Sequence, residues 1–329
     1  MKLFQITTRL SGNTHLTRLK VLAEKECHLQ EHFSNRVLIE NEIEFTNLVS
    51  HTQNEIISEE LQEHISEINF QSMASLVSEV HGEVAVLALL FGAASVIRRK
   101  IIETTGFFPL LNIYGNPASG KTSLADAINR LFYANKSFLN PPFPIKNLKK
   151  ISETSNESII VIDDFYEDND DYRLNSTLKK MYDNQFFQTG SLDSGIEKRI
   201  TPLNYATIIS SCDKIKDVGL QSRTIPVHLE FTDFSKYQEL KHLLLSRTLG
   251  RNDFYNIRNK INLRQEEFSI RFNALYPEIK EILASRIPKL DLSQQTSNIA
   301  VLMTMYKILR GAGIYNIEIP TSFFVQYIK

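Results

Sequence analysis

Residues 114 to 124 read YGNPASGKTSL, and Gly115, Gly120, Lys121 and Thr122 stand at a telling spacing: a glycine, four free positions, then glycine, lysine and serine or threonine. That spacing builds a cradle for phosphate. Glycines let the backbone curl until successive N–H groups point inward at phosphate oxygens, and the helix that follows adds its positive N-terminal end. The expected nucleotide contacts are Gly115, Asn116, Pro117, Ala118, Ser119, Gly120, Lys121, Thr122 and Ser123. Lys121 can reach the β- and γ-phosphates of ATP, and the Thr122 hydroxyl can hold Mg²⁺.

Such a site needs carboxylates at the end of a neighbouring strand, and SIIVIDDFYED supplies them. The apolar run Ile159 to Ile162 leads into Asp163, expected to address Mg²⁺, and Asp164, expected to polarise the attacking water at a position often held by glutamate. Further acids at Glu167, Asp168, Asp170 and Asp171 lack the glycine and distal glutamate of a calcium loop and read as a solvated acidic loop. A later run, NYATIISSCD, forms a second short apolar strand. It ends at Ser211, where a sensor of the γ-phosphate would sit, although strands commonly end in polar residues. Twelve positions on, Arg223 precedes another strand. In a ring of subunits it could reach the neighbour's γ-phosphate and stabilise the transition state; the other reading is a surface salt bridge. Between these strands, residues 186 to 203 read as a β-hairpin. Lys198 and Arg199 lie on its returning strand, placed to meet a phosphate backbone or simply to form a solvated face.

The elements that must position these groups are visible in the pattern. PLLNIY, ahead of the loop, is short, apolar and bounded by Pro109, as a buried strand should be. Leu124, Ala125, Ile128, Leu131 and Phe132 then recur at helical spacing. Strand and helix signals alternate from 106 to about 232, the mark of an α/β layer fold. Residues 66 to 105 read as mainly helical, including the apolar run 84 to 97, which is shorter than the ~20 residues of a membrane span and predicts a buried helix. Residues 1 to 65 begin as a hairpin and continue as acidic, helix-prone sequence, a small α+β segment. Residues 233 to 329 read as a helical region, with amphipathic helices expected at KYQELKHLLLSRTL and FNALYPEIKEILASRI.

Composition bounds the rest. With 329 residues, 42% hydrophobic and 23% charged, the chain can bury a sizeable core. A net charge of −1 leaves nucleic-acid contact to local basic patches. Cys27 and Cys212 form no disulfide framework, no zinc pattern occurs, and MKLFQITTRL lacks the features of a secretory signal. The expected location is cytoplasmic, with no membrane partner.

Taken in order, GFFPLLNIYGNPASGKTSLADAINRLF, IIVIDDF, LKKMYDNQFFQTGSLDSGIEKR, ATIISSCD and LQSRTIPVHLEF resemble the AAA+ helicase module of primase-helicases from phages, plasmids and mobile elements, related to the superfamily 3 helicases. The resemblance covers residues 80 to 232, and more loosely the N-terminal segment and the helical tail, where QTSNIAVLMTMYKIL looks like the family's late helix. It implies an α/β P-loop core in a homo-oligomeric ring, usually a hexamer. That ring would use ATP to move on single-stranded or forked DNA, with the hairpin as the gripping element and an arginine acting on the adjacent subunit. Ser211 departs from the asparagine or threonine usual at its position. Full-length relatives carry priming domains upstream that have no counterpart in this sequence, so a separate primase or replication partner is implied, and the helix-like ending TSFFVQYIK suits a truncated or split protein.

A different class of function also fits the loop: an AAA+ ATPase that remodels or switches a protein or nucleoprotein complex in transposition or phage defence. Near-neutral charge favours it, whereas the basic hairpin and the order of motifs favour the DNA motor. A small-molecule kinase shares only the phosphate loop, and the absent lid arginine cluster and long helical tail argue against it.

Overall fold

The computed structural model describes residues 70–133, 138–143, 147–148, 150–151, 158–166, 172–185, 187–189, 199–201, 205–230, 251–287 and 293–328. All of these belong to the larger of two compact units, Glu63–Lys329, the other being Met1–Gln62. The hairpin expected in the first 65 residues and the helix expected at 236–249 lie outside the described residues.

Five strands form the central sheet: β1 (Leu110–Tyr114), β2 (Phe138–Leu139), β3 (Ser158–Phe165), β6 (Tyr205–Ser211) and β7 (Thr224–His228). Their order is β2-β3-β6-β1-β7, and every neighbouring pair is parallel. Parallel strands covered on both faces must be apolar at consecutive positions. The runs LLNIY, SIIVIDDF and YATIISS show why. Leu111, Ile113, Ile159, Val161, Ala206 and Ile208 enter one core, while Leu110, Ile160, Ile162, Tyr205 and Ile209 enter a second on the opposite face. Each strand therefore feeds both layers by its alternation of period two.

The larger core lies against α1 (Phe70–His81), α2 (Ala85–Val96), α4 (Lys121–Phe132), α7 (Arg251–Asn262), α8 (Gln265–Ser285) and α9 (Ser293–Gly311). Helix α2 is apolar all round, and all of its residues are buried, so it serves as a core helix packed on α4, α7 and α9. Among the described residues no helix is long and apolar enough to cross a membrane. The smaller core lies against α5 (Tyr172–Tyr182), whose Leu174, Leu178 and Met181 recur at helical spacing, and against Leu220 of the short α6 (Val218–Gln221). Helix α3 (Arg98–Thr105) leads into β1, and α10 (Thr321–Val325) closes the described chain. Helices on both faces of a parallel sheet make the α/β architecture that the alternation of signals predicts.

The hairpin is present as β4 (Phe187–Thr189) paired antiparallel with β5 (Arg199–Thr201), with Thr189 opposite Arg199. Its tip and Lys198 lie outside the described residues.

Candidate nucleotide site

Parallel strands gather loops at their carboxyl ends, and the predicted phosphate groups meet there. The chain leaves β1 through Gly115 at φ 151°, where a Cβ would run into the Leu229 carbonyl oxygen just beyond β7. Only glycine tolerates that approach. Tyr114 stacks on His228 with ring centres 4.8 Å apart, and the Gly115 N–H donates to Ser211 O at 3.3 Å, which fixes the start of the loop to both flanking strands. Ala118 at φ 64° and Gly120 at φ 90° are left-handed, so the loop curls back before α4 begins at Lys121. Left-handed alanine costs about 1–2 kcal/mol, a strain of the kind that functional loops retain.

Lys121 is buried, and its ammonium donates to Gly115 O at 2.8 Å and Asn116 O at 2.7 Å. It thus lies folded across its own loop. Thr122, one residue on, donates its hydroxyl to Asp163 Oδ1 at 3.0 Å. Asp163 lies near the end of β3, which is separated from β1 by β6, so this hydrogen bond spans the top of an intervening strand.

Asp163 and Asp164 part company at a β-bulge. Register between β3 and β6 runs Ile162 to Ile209, then Phe165 to Ser211, so β3 carries one residue more than its partner. Asp164 takes the extra turn at φ 53° and is exposed, whereas Asp163 is buried. One carboxylate is held beside Thr122 and the other is left in solvent reach.

Ser211 ends β6 between the loop and the aspartates. Its buried hydroxyl lies 3.0 Å from Asn112 Oδ1 and 2.8 Å from Asp213 O. One proton cannot serve two acceptors; with the Asn112 amide turned, its NH₂ donates to Ser211 while Ser211 donates to Asp213 O. A phosphate-sensing role for Ser211 would require exchange of one of these bonds. Asn112 itself escapes the motif pattern, although a lone amide inside the apolar PLLNIY was a signal for a buried polar partner.

Arg223 is not brought to the loop. It precedes β7, where its carbonyl accepts from Leu110 N at 3.1 Å, so it stands at the opposite end of β1 from Gly115, ~16 Å of strand away. Its guanidinium lies 5.5 Å from the Tyr182 ring centre and donates to Gly219 O at 2.8 Å, with Asp183 Oδ2 at 3.4 Å. Tyr182 donates its hydroxyl to Asn298 Oδ1 of α9 at 2.9 Å. Burial above all pushes the Tyr182 phenol well above its ordinary value, against the pull of Arg223, so it stays a donor.

The sheet order, the curled loop and the threonine-aspartate contact together define an α/β fold of the P-loop kind. No protein-family model matches the sequence, nor does any curated protein. Solved structures do. The fold is similar to that of the active helicase Cch of SCCmec type IV at a TM-score of 0.51 and 18% identity, over 75% of this chain and 46% of that one. The chain thus spans about half the length of that relative. It is also similar to the helicase of JCV at a TM-score of 0.31 and 15% identity, over 75% of this chain and 76% of that one, and to the C-terminal region of NrS-1 at 0.32 and 13%, over 77% and 68%. The resemblance read from the order of motifs is therefore a resemblance of fold as well, carried by the first of these structures.

Proposed function

We propose that this chain is an ATP-hydrolysing subunit of a ring, a hexamer by the resemblance of its motif order, that translocates on single-stranded or forked DNA in the cytoplasm. The observation that carries the reading is the Thr122 to Asp163 contact, which brings a P-loop hydroxyl and a strand-end carboxylate together beside a lysine folded over its loop. Lys121 would exchange the carbonyls of Gly115 and Asn116 for β- and γ-phosphate oxygens. The loop N–H groups would take the remaining phosphate charge.

Thr122 and Asp163 also fit Mg²⁺. Both offer hard oxygen donors and stand 3.0 Å apart, so together they would hold the ion beside the phosphate loop. When bound, the ion would neutralise charge on the transferring phosphoryl group. Asp164, exposed one residue on, is the proposed acceptor of the proton from the attacking water. Arg223 is proposed to act on the neighbour's nucleotide; its distance along the sheet from its own loop supports action between subunits rather than within one. The hairpin β4–β5, with Lys198 and Arg199, is the proposed contact to the DNA backbone.

Replacing Lys198 and Arg199 by alanine tests the DNA half of the reading. Binding of single-stranded DNA should weaken for all sequences alike and become less salt dependent. Wild-type protein that assembles with nucleotide yet binds no DNA at low salt would instead favour the remodelling ATPase, a reading that near-neutral net charge also suits.

A further inference from the structure

The C-terminal end of α5 and Asp183 just beyond it carry two ion pairs of opposite polarity, one turn apart, and both grip the same short segment. At one end, Lys179 Nζ lies 2.8 Å from Asp217 Oδ2; at the other, Asp183 Oδ2 lies 3.4 Å from the Arg223 guanidinium. Between them, Asp217 caps α6 by accepting from Leu220 N at 2.8 Å, and Arg223 closes the turn by donating to Gly219 O. Burial works to raise the Asp217 carboxyl, yet its bonds to Lys179 and Leu220 N outweigh this and hold it below its ordinary value. The segment from Asp217 to Arg223 is thus fastened to α5 at both ends. Tyr182 lies under Arg223 and is itself fixed on its other side by Phe107, with ring centres 4.8 Å apart.

The same helix ends at Tyr182, and β4 of the hairpin begins at Phe187. The root of the hairpin therefore follows, within five residues, the turn whose Tyr182 meets Arg223. We propose that Lys179 and Asp183 are positioning residues that make the hairpin root and Arg223 one mechanical body, so that DNA on the hairpin sets where Arg223 stands at the neighbouring subunit's nucleotide. The proposal rests on the motor reading above. Asp183 acts on Arg223 directly, and Lys179 acts through Asp217 at the start of the same segment.

All four side chains are 20–34% exposed, so loss of these pairs should leave the fold intact. The test is ATP hydrolysis by a Lys179→Ala, Asp183→Asn double variant, with and without single-stranded oligothymidine, with binding of the labelled oligonucleotide followed by anisotropy. The variant should bind oligothymidine as wild type does, yet lose at least about tenfold in DNA-stimulated turnover, since a catalytic group displaced by about 1 Å can cost ~100-fold. Mixing supplies a readout that a general folding defect would not produce. Added Lys121→Ala subunits, which offer a well-held Arg223 to the variant's intact loops, should restore stimulation; added Arg223→Ala subunits should not. A Lys179→Arg single variant should keep stimulation. Wild-type stimulation in the double variant, or no recovery with Lys121→Ala subunits, overturns the coupling alone. Failure of DNA to stimulate wild-type protein overturns the motor reading, and the coupling with it.

Discussion

The Thr122 hydroxyl donates to Asp163 Oδ1 at 3.0 Å although the two residues are 41 positions apart and on strands or helices separated by β6. The threonine sits in the first turn of α4 and the carboxylate on β3, with β6 lying between β3 and β1. The contact spans that intervening strand and makes the pair a single donor set. Thr122→Ala and Asp163→Asn should each lower Mg²⁺-dependent ATP turnover at least about 100-fold while leaving the fold's thermal transition within a few degrees. Nucleotide affinity measured with and without Mg²⁺ should become the same in both variants. A Mg²⁺ dependence that survives both substitutions would place the ion elsewhere.

Asp164 makes a sharper distinction. Its exposure at the bulge sets it apart from buried Asp163, so Asp164→Asn should retain Mg²⁺-nucleotide binding and lose turnover by about 100-fold or more, as expected when a general base is removed. Stopped-flow binding of a fluorescent ATP analogue beside steady-state hydrolysis separates the two effects. Loss of binding instead would reverse the assignment of the two aspartates.

Arg223 and the loop lie at opposite ends of β1, which makes complementation between subunits the natural measurement. Arg223→Ala and Lys121→Ala proteins should each be nearly inactive alone, and their mixture should recover a measurable fraction of wild-type hydrolysis because some interfaces pair an intact arginine with an intact loop. A strictly monomeric wild-type protein that hydrolyses ATP would contradict this role.

Stability should depend on pH through His81. This side chain, 3% exposed at the end of α1, is pushed by burial from 6.5 down to about 4. A lowered folded value means that the unfolded chain takes up the proton first. Stability is therefore complete above about pH 6.5 and falls as the pH drops towards 4, by about 3 kcal/mol over that interval. Urea unfolding of wild type and His81→Leu at several pH values should show this slope in the first and a flatter one in the second. Equal slopes would assign the acid sensitivity to other groups.

Much of the fold was legible because its signals are local. Pro109 before LLNIY, the helical spacing from Leu124 to Phe132 and the apolar runs into Asp163 and Ser211 each state one element without reference to any other. The all-apolar α2 was legible as buried, but not its place on α4, α7 and α9, since a helix without a polar face carries no directional pattern. The bulge that separates Asp163 from Asp164 was hidden because it arises from register against β6, and no residue type marks it. Lys179, Asp183, Asp217 and Asn298 were hidden for a related reason: polar and charged residues of helices and their caps look like ordinary surface until the chain brings them to the segment from Asp217 to Arg223 and to Tyr182 beneath it.

The central claim is that ATP hydrolysis here depends on Lys121 and answers to DNA. Its most direct measurement is Mg²⁺-dependent ATP turnover by wild type and Lys121→Ala at low salt, with and without single-stranded DNA. The account predicts that wild-type turnover rises when DNA is added, and that Lys121→Ala loses about 100-fold or more with its circular-dichroism melting curve unchanged, because among the described residues the ammonium donates to loop carbonyls, those of Gly115 and Asn116. Undiminished hydrolysis in Lys121→Ala, or wild-type turnover that is indifferent to DNA, would contradict it.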